Sequence, residues 1–458
     1  MKVVKFGGSS VASATQLKKV ANIILQDKER QLVVVSAPGK RFSSDRKVTD
    51  LLIEVGKKKE ENKEFEETLQ AVIGRFQQIL EGLSLSTQLT ERVRDHIVSI
   101  VRGESDDAYR MDALKAVGED TLAQILSLYL NDIGHKAAYV NPKEAGIMVS
   151  DEPGQARVLE ESYAQLYELR NREEIVVIPG FFGYTKKDQL MALPRGGSDI
   201  TGAIVAAGVK ADLYENFTDV DSVYCVNPMI VSNPKEIHAL TYKEMRELSY
   251  AGFSVFHDEA LNPAFQAKIP VCIKNTNRPE KPGTMISAER NLTNGPVVGI
   301  ASDDGFLSIY VSKYLMNREI GFGRHLLQIL EEEGISFEHA PSGIDDMSVI
   351  VREEQLPPHK EELVLKRIQH ELKVDTVSVE RDLAMIMIVG EGMNSTIGVT
   401  SKASASFERA RVNIEMINQG SSEVSMMYGV KKEGLSRAVQ SLYETFFVQV
   451  SKEAERAK

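Results

Sequence analysis

The sequence predicts an α/β chain: a mainly parallel sheet sandwiched by helices, followed by a smaller α/β module present twice. Three observations carry this. Val3-Val4, Leu32-Val-Val-Val35 and Ile175-Val-Val-Ile178 are unbroken apolar runs without polar alternation, as expected of strands covered on both faces. Helical patterns lie between them, beginning with Leu17, Val20 and Ile24 over residues 13–29. Glu331–Ser348 aligns without gaps on Glu408–Ser425, an offset of 77 residues (408 − 331). The same offset pairs Glu338 with Glu415, Gly343 with Gly420, and Ile320-Gly321 with Ile397-Gly398.

A length of 458 residues suits roughly three domains. The hydrophobic fraction of 42% and charged fraction of 26% are those of a soluble globular protein. No apolar run nears the roughly 20 residues of a membrane span, and the start lacks a signal peptide's apolar region, so a cytoplasmic location is expected. Cys225 and Cys272 stand in no metal-ligand spacing and read as small core residues. A net charge of −11 argues against nucleic acid or an anionic membrane as the main partner.

Taken in order, Val3 and Val4 read as a buried strand that carries Lys5 at its end and breaks into Gly7-Gly8-Ser9-Ser10 before a helix. Paired glycines let backbone N–H groups approach an anion, a helix start adds partial positive charge, and Lys5 adds a compact full one. Taken alone, this stretch is better accounted for by an ordinary strand-to-helix turn, and the rest of the chain has to overturn that. Leu32–Val35 is the second strand and ends in Ser36-Ala-Pro-Gly39, on the same sheet edge if the units are parallel. Lys47-Val-Thr49-Asp50 opens the next helix. Residues 56–110 are charged and helical, with stripes at Val72, Phe76, Ile79, Leu83 and at Leu89, Val93, Ile97, Ile100. They predict a hairpin on the edge of the domain with solvated charges. A helix begins at Gly118-Glu119-Asp120, then come strands at Ala137–Val140 and Ile175–Ile178. Pro194-Arg195-Gly-Gly-Ser198-Asp199 precedes a small-residue helix, Ile200 to Ala207. Arg195 suits a bidentate grip on a carboxylate, while Asp199 fits either the site or plain N-capping. Tyr214–Thr218 is a strand feeding the polar loop Asp219-Val-Asp221. Leu240 to Gly252 is helical, Ile269–Lys274 is the last strand of this part, and Asn291–Pro296 is the linker. Each repeat then reads strand, glycine turn, helix, two strands, helix.

Lys5-Phe-Gly7-Gly8-Ser9-Ser, Arg195-Gly-Gly-Ser198-Asp199 and Thr218-Asp219-Val-Asp221, ahead of a doubled module, resemble the aspartate kinases. The likeness covers nearly the whole chain, loosest over 56–110, and is nearest to the monofunctional lysine-sensitive type. It implies an amino-acid-kinase fold, a three-layer αβα sandwich, over 1–295 with 56–110 as a helical insertion. It implies two ferredoxin-like βαββαβ ACT domains over 296–376 and 377–458. It implies transfer of the γ-phosphoryl of ATP, carried with Mg²⁺, to the β-carboxylate of L-aspartate, with no protein metal site. Lys5 then stabilises the phosphoryl in flight and Asp199 organises that lysine and the metal-bound phosphates. Gly7, Gly8 and Ser9 form the phosphate loop, with Ser36 on the adjacent loop. Arg195 holds the aspartate α-carboxylate and Glu119 its ammonium, beside Thr49 and Ser198. Thr218, Asp219 and Tyr224 bind nucleotide. Met316, Glu319, Gly321, Phe337 and Glu338 bind an inhibitory amino acid, lysine first and threonine as a second candidate, in a homodimer joined through ACT domains.

The chain departs from the family pattern in places. Ser9 replaces a threonine and Pro194 a glycine. Met229 and Ser254 replace two basic residues near the nucleotide, and Asp258 follows His257 where proline is usual. These departures suggest altered ATP affinity and support one alternative, an amino-acid sensor whose kinase domain has decayed. The four retained charges, Lys5, Glu119, Arg195 and Asp199, weigh against it. Another carboxylate or phosphate kinase of the same fold is the remaining alternative.

Overall fold

A computed structural model describes residues 1–253, 260–291, 295–420 and 424–449. The chain divides into two compact units: residues 1–223, 236–246 and 254–290 in one, and 224–235, 247–253 and 291–458 in the other.

The first unit runs β1 (Lys2–Phe6), α1 (Ala14–Leu25), β2 (Arg30–Val35), α2 (Val48–Glu60), α3 (Glu66–Gly82), α4 (Gln88–Arg102), α5 (Asp107–Asp132) and β3 (Ala137–Tyr139). It continues with α6 (Pro142–Ala145), α7 (Glu161–Tyr167), β4 (Ile175–Pro179), β5 (Phe182–Tyr184), β6 (Leu190–Ala192), α8 (Gly197–Gly208) and β7 (Leu213–Thr218). The short strand β8 (Val223–Tyr224) runs into the second unit at Tyr224; β9 (Glu236–Ile237) and β10 (Ala239–Thr241) follow, then α9 (Tyr242–Tyr250), which passes to the second unit at residue 247, α10 (Asn262–Gln266), β11 (Val271–Asn275) and β12 (Thr284–Ser287). Eight strands make one sheet in the order β10-β12-β11-β7-β1-β2-β4-β3, parallel except where β12 meets β11.

Period-two alternation gives β1 two different faces. Val4 and Phe6 enter a core built with α1 to α5, and Lys5 is left for the opposite face. Val72, Phe76 and Ile79 of α3, with Val93 and Ile97 of α4, enter that same core. The hairpin packs on α1, α2 and α5, the helices lying between it and the sheet, and shares their core. Three expectations change. The helix expected to begin at Gly118 begins at Asp107, and Gly118 lies within it because a side chain there would stand 2.6 Å from Ala37 Cβ. Leu240 belongs to β10, so the following helix starts at Tyr242. The strand at 271–275 is followed by one more, β12, hydrogen-bonded to it in antiparallel register after a turn at Gly283.

The second unit is built on β13 (Gly299–Ser312), α11 (Phe322–Glu332), β14 (Asp346–Arg352), α12 (Pro358–Glu371), β15 (Thr376–Val389), α13 (Val399–Ala410), β16 (Met416–Asn418), β17 (Ser425–Lys431) and α14 (Leu435–Tyr443). One five-stranded sheet serves both repeats, in the order β14-β13-β15-β17-β16. The repeat offset maps the long strands onto each other end to end, since 376 − 299 and 389 − 312 both give 77. Each long strand works in both halves. The second half of β13 pairs with β14, and its first half pairs with the part of β15 that also holds β17. Their ladder is interrupted around Gly305 and Asp382, equivalent positions with φ of +82° and +60°. The core of the first repeat gathers Leu307, Ile309, Phe322, Leu326, Val349 and Ile368, with Val377 and Val379 of β15 packed against it. Phe407 packs on Tyr428 at 4.7 Å in the second.

Candidate active site

Parallel strands bring their C-terminal ends to one edge of the larger sheet, and the loops that leave them are laced together. The Gly7 N–H donates to Phe217 O at 3.0 Å, Ser36 N–H to Phe6 O at 3.1 Å, Gly180 N–H to Val35 O at 2.9 Å and Thr276 N–H to Thr218 O at 2.9 Å. The two glycine loops approach to backbone contact. Gly39 N–H donates to Gly8 O at 2.8 Å, and a methyl group on Gly39 would stand 2.8 Å from that oxygen. Only a residue without a side chain fits.

Lys5 and Asp199, 194 residues apart, meet at this edge: Lys5 Nζ donates to Asp199 Oδ1 at 2.6 Å, with side chains 7% and 19% exposed. Asp199 sits in the first turn of α8 but does not cap it. The cap is Gly196, at φ +76°, so the N-capping account of Asp199 is set aside. The carboxylate has a second donor that sequence reading missed. Asn216 Nδ2 reaches the same Oδ1 at 2.5 Å and the Tyr214 hydroxyl at 3.1 Å. That hydroxyl donates to the Asp199 carbonyl at 3.2 Å. Asn216 lies one strand from Lys5 in direct register (Lys5↔Asn216), and only that pairing identifies it.

Glu119 lies mid-helix in α5, buried, and its Oε2 finds no partner among the described residues. Burial pushes its carboxyl up to about 8, against the opposing pull of the Ala37 amide and the Lys5 charge. Two turns earlier, buried Asp112 accepts the Gly154 N–H at 2.6 Å and the Ala192 N–H at 2.9 Å, which pins the strand leading to Arg195. Sequence reading missed this residue too, because a carboxylate in a charged helix looks solvated.

The other expected residues fall as follows. Ser198 is buried against Gly180, and Arg195 is exposed. Gly7, Gly8, Ser9, Ser36 and Thr49 are half-buried, Thr49 in the first turn of α2. Thr218 ends β7 and Asp219 follows it; Asn275 Nδ2 donates to Asp219 O at 3.3 Å and to Asp221 Oδ1 at 2.7 Å. Tyr224 and Met229, the latter 92% exposed, belong to the second unit. Ser254, His257 and Asp258 lie outside the described residues. A cavity of about 670 Å³ lined by Leu193, Pro194, Ile200, Tyr242, Arg246 and Phe265 contains neither Lys5 nor Asp199.

The five residues expected to bind an effector are all in the second unit. Met316, Glu319 and Gly321 form the turn ahead of α11, whose cap is Gly321 at φ +87°. Met316 is buried and Glu319 pairs with Lys313. Phe337 is about half exposed; Glu338 takes Arg352 Nε at 3.4 Å and the Tyr250 hydroxyl.

Comparison with known proteins agrees along the chain. Residues 1–275 match the amino acid kinase family and residues 386–446 the ACT domain. Aspartokinase 3 of Bacillus subtilis is 56% identical over 451 residues, covering 98% of this chain and 99% of that protein. Chloroplastic aspartokinase 1 of Arabidopsis thaliana is 28% identical, over 97% of this chain and 80% of its own. The aspartate kinase of Clostridium acetobutylicum, solved as a crystal structure, is 36% identical with a TM-score of 0.87, covering 97% of this chain and all (100%) of that one. Escherichia coli aspartokinase III, solved with aspartate and ADP, covers 98% and 100% with a TM-score of 0.79; at 24% identity it speaks for the fold alone. An identity above one half, sustained along almost the whole of both chains, shows that the chain belongs to the aspartokinase family.

Proposed function

We propose that this aspartate kinase moves the γ-phosphoryl of ATP to the β-carboxylate of L-aspartate at the sheet edge where Lys5, Asp199 and Glu119 converge. The observation that carries the placement is the 2.6 Å contact between Lys5 and Asp199. Phosphoryl transfer asks a protein mainly for positioning and charge neutralisation, and an ionised carboxylate nucleophile needs no general base. Lys5 offsets the negative charge that spreads over the transferred group. Asp199 and Asn216 keep the ammonium from turning away. Gly8 and Ser9 offer backbone donors to the phosphates, Gly7 shaping the loop with its own N–H tied to Phe217, and Thr218 and Asp219 take the nucleotide. Arg195, which is exposed, takes the aspartate α-carboxylate. The unpartnered oxygen of Glu119 takes the ammonium, beside Ser36, Thr49 and Ser198. Mg²⁺ enters with ATP, held chiefly by phosphate oxygens; the hard carboxylate oxygens of Asp199 fit such an ion, which supplies further charge neutralisation.

The product is 4-phospho-L-aspartate, and the first step towards lysine, threonine and methionine is the role of such an enzyme. The chain works in the cytoplasm as a homodimer joined through its repeats, with lysine, and threonine as a second effector, bound around Met316, Glu319, Gly321, Phe337 and Glu338. No side chain caps α11 at Gly321, and its first turn offers a carboxylate the amides beyond Phe322, whose own N–H donates to Glu319 O. The effector shifts a two-state equilibrium away from the active form.

Coupled measurement of ADP release tests all of this. The rate with L-aspartate is expected to exceed that with L-glutamate by orders of magnitude, and equal rates would sink the substrate assignment. Titrating lysine, threonine and both in the same assay reports the effector, and Glu338→Ala is expected to abolish inhibition. Effector binding by calorimetry without turnover at any ATP concentration would instead support the decayed sensor.

A further inference from the structure

The charge pattern of the helical hairpin gives it no part in the chemistry, yet one of its side chains reaches the glycine loops. Arg75 of α3 is buried. Its Nη2 donates to the Gly39 carbonyl at 2.7 Å and lies 3.4 Å from the Ala12 carbonyl. Its Nη1 donates to Asp45 Oδ2 at 2.8 Å and to the Arg46 carbonyl at 3.0 Å. Asp45 also takes Arg41 in a bidentate pair, at 2.8 and 3.0 Å, and accepts the Arg41 N–H at 2.9 Å. The segment from Gly39 to Arg46 is thereby closed around one guanidinium.

Gly39 is held at both ends. Its carbonyl accepts from Arg75, and its N–H donates to the Gly8 carbonyl at 2.8 Å. A trans peptide unit carries its C=O and N–H on opposite sides, so fixing the Gly8 carbonyl towards Gly39 turns the Ser9 N–H the other way. A charge partner alone would account for the contact with Asp45. It does not account for a fork spread over the carbonyls of the two loops that flank Gly8, a geometry that a lysine ammonium cannot reproduce.

We propose that Arg75 is a positioning residue for ATP: acting through Gly39, it sets the direction of the Gly8–Ser9 peptide and so the donors offered to the nucleotide phosphates. This rests on the reading of Gly7, Gly8 and Ser9 as phosphate-binding. The test is steady-state kinetics on the full chain with both substrates varied. Arg75→Lys keeps the charge and loses the fork. It is expected to lower kcat/KM for ATP by about tenfold or more, while KM for aspartate stays within about twofold. Phe76→Leu, a fully buried neighbour on the same helix, is expected to lower Tm without that selectivity. If Arg75→Lys fails to fold, Gly39→Ala attacks the same link from the loop side, with the same selective loss expected. Where both fold, their combined effect should be smaller than the product of the two, since they break one connection. A fall shared equally by both substrates, or a fully multiplicative double variant, would reduce Arg75 to scaffold and overturn the inference. Gly8→Ala in the same assay separates the two levels. If it raises KM for ATP while Arg75→Lys does not, the inference falls and the phosphate-loop reading stands. If Gly8→Ala leaves ATP kinetics untouched, that reading falls and takes the inference with it.

Discussion

Asp199 places two donors on one oxygen, an ammonium from β1 and an amide from β7, in a site from which little water is reached. Such an arrangement fixes Lys5 before the substrates arrive, and preorganised charge is worth most where it need not reorient. Lys5→Ala is accordingly expected to lower kcat at least ~100-fold, and Asn216→Ala, which leaves the lysine but frees its partner, about tenfold. A loss below ~10-fold for Lys5→Ala would remove it from the mechanism. Glu119 makes a prediction about pH. Burial raises its carboxyl from 4.5 to about 8, so between those values the folded chain holds a proton that the unfolded chain has released. Stability of the ligand-free protein therefore falls as pH rises through that window, and Glu119→Gln is expected to flatten this part of a Tm profile. An ammonium beside Glu119 favours the carboxylate, so aspartate binding near neutral pH should release a proton. Calorimetry in buffers of different ionisation heat reads this directly, and zero release would break the assignment of Glu119 to the ammonium.

Elements differ in how plainly they were written in the sequence. Strands β1, β2 and β4 were legible because burial on both faces removes polar residues from them. The start of α8 was legible from its glycine pair, and Asp199 stood out with it. Asn216 and Arg75 were not. The first is one polar residue in a strand, and its meaning comes from the register that sets it opposite Lys5. The second is one charge among many on α3, and only the packing of that helix against α1 and α2 turns it inward. Gly118 misled as a helix start because glycine at a close contact and glycine at a helix end look alike in a sequence. β12 was missed because a four-residue strand after a turn carries little periodicity of its own.

At the scale of the molecule, the 77-residue repeat was visible from the start, but the way its copies join was not. A chain ending at residue 375 would contain every residue of the first copy yet lack β15. It is expected to leave β13 as an open edge, to lose protection from hydrogen exchange across residues 306–312 and 346–352, and to self-associate. Retained protection there would show that the first copy closes on its own.

The crossover at Gly305 and Asp382 carries a consequence for inheritance. Once a doubled gene has come to trade half-strands in this way, neither copy can be dropped or borrowed singly by another protein. A change in one is felt in the fold of its twin, so the pair must evolve as an indivisible piece.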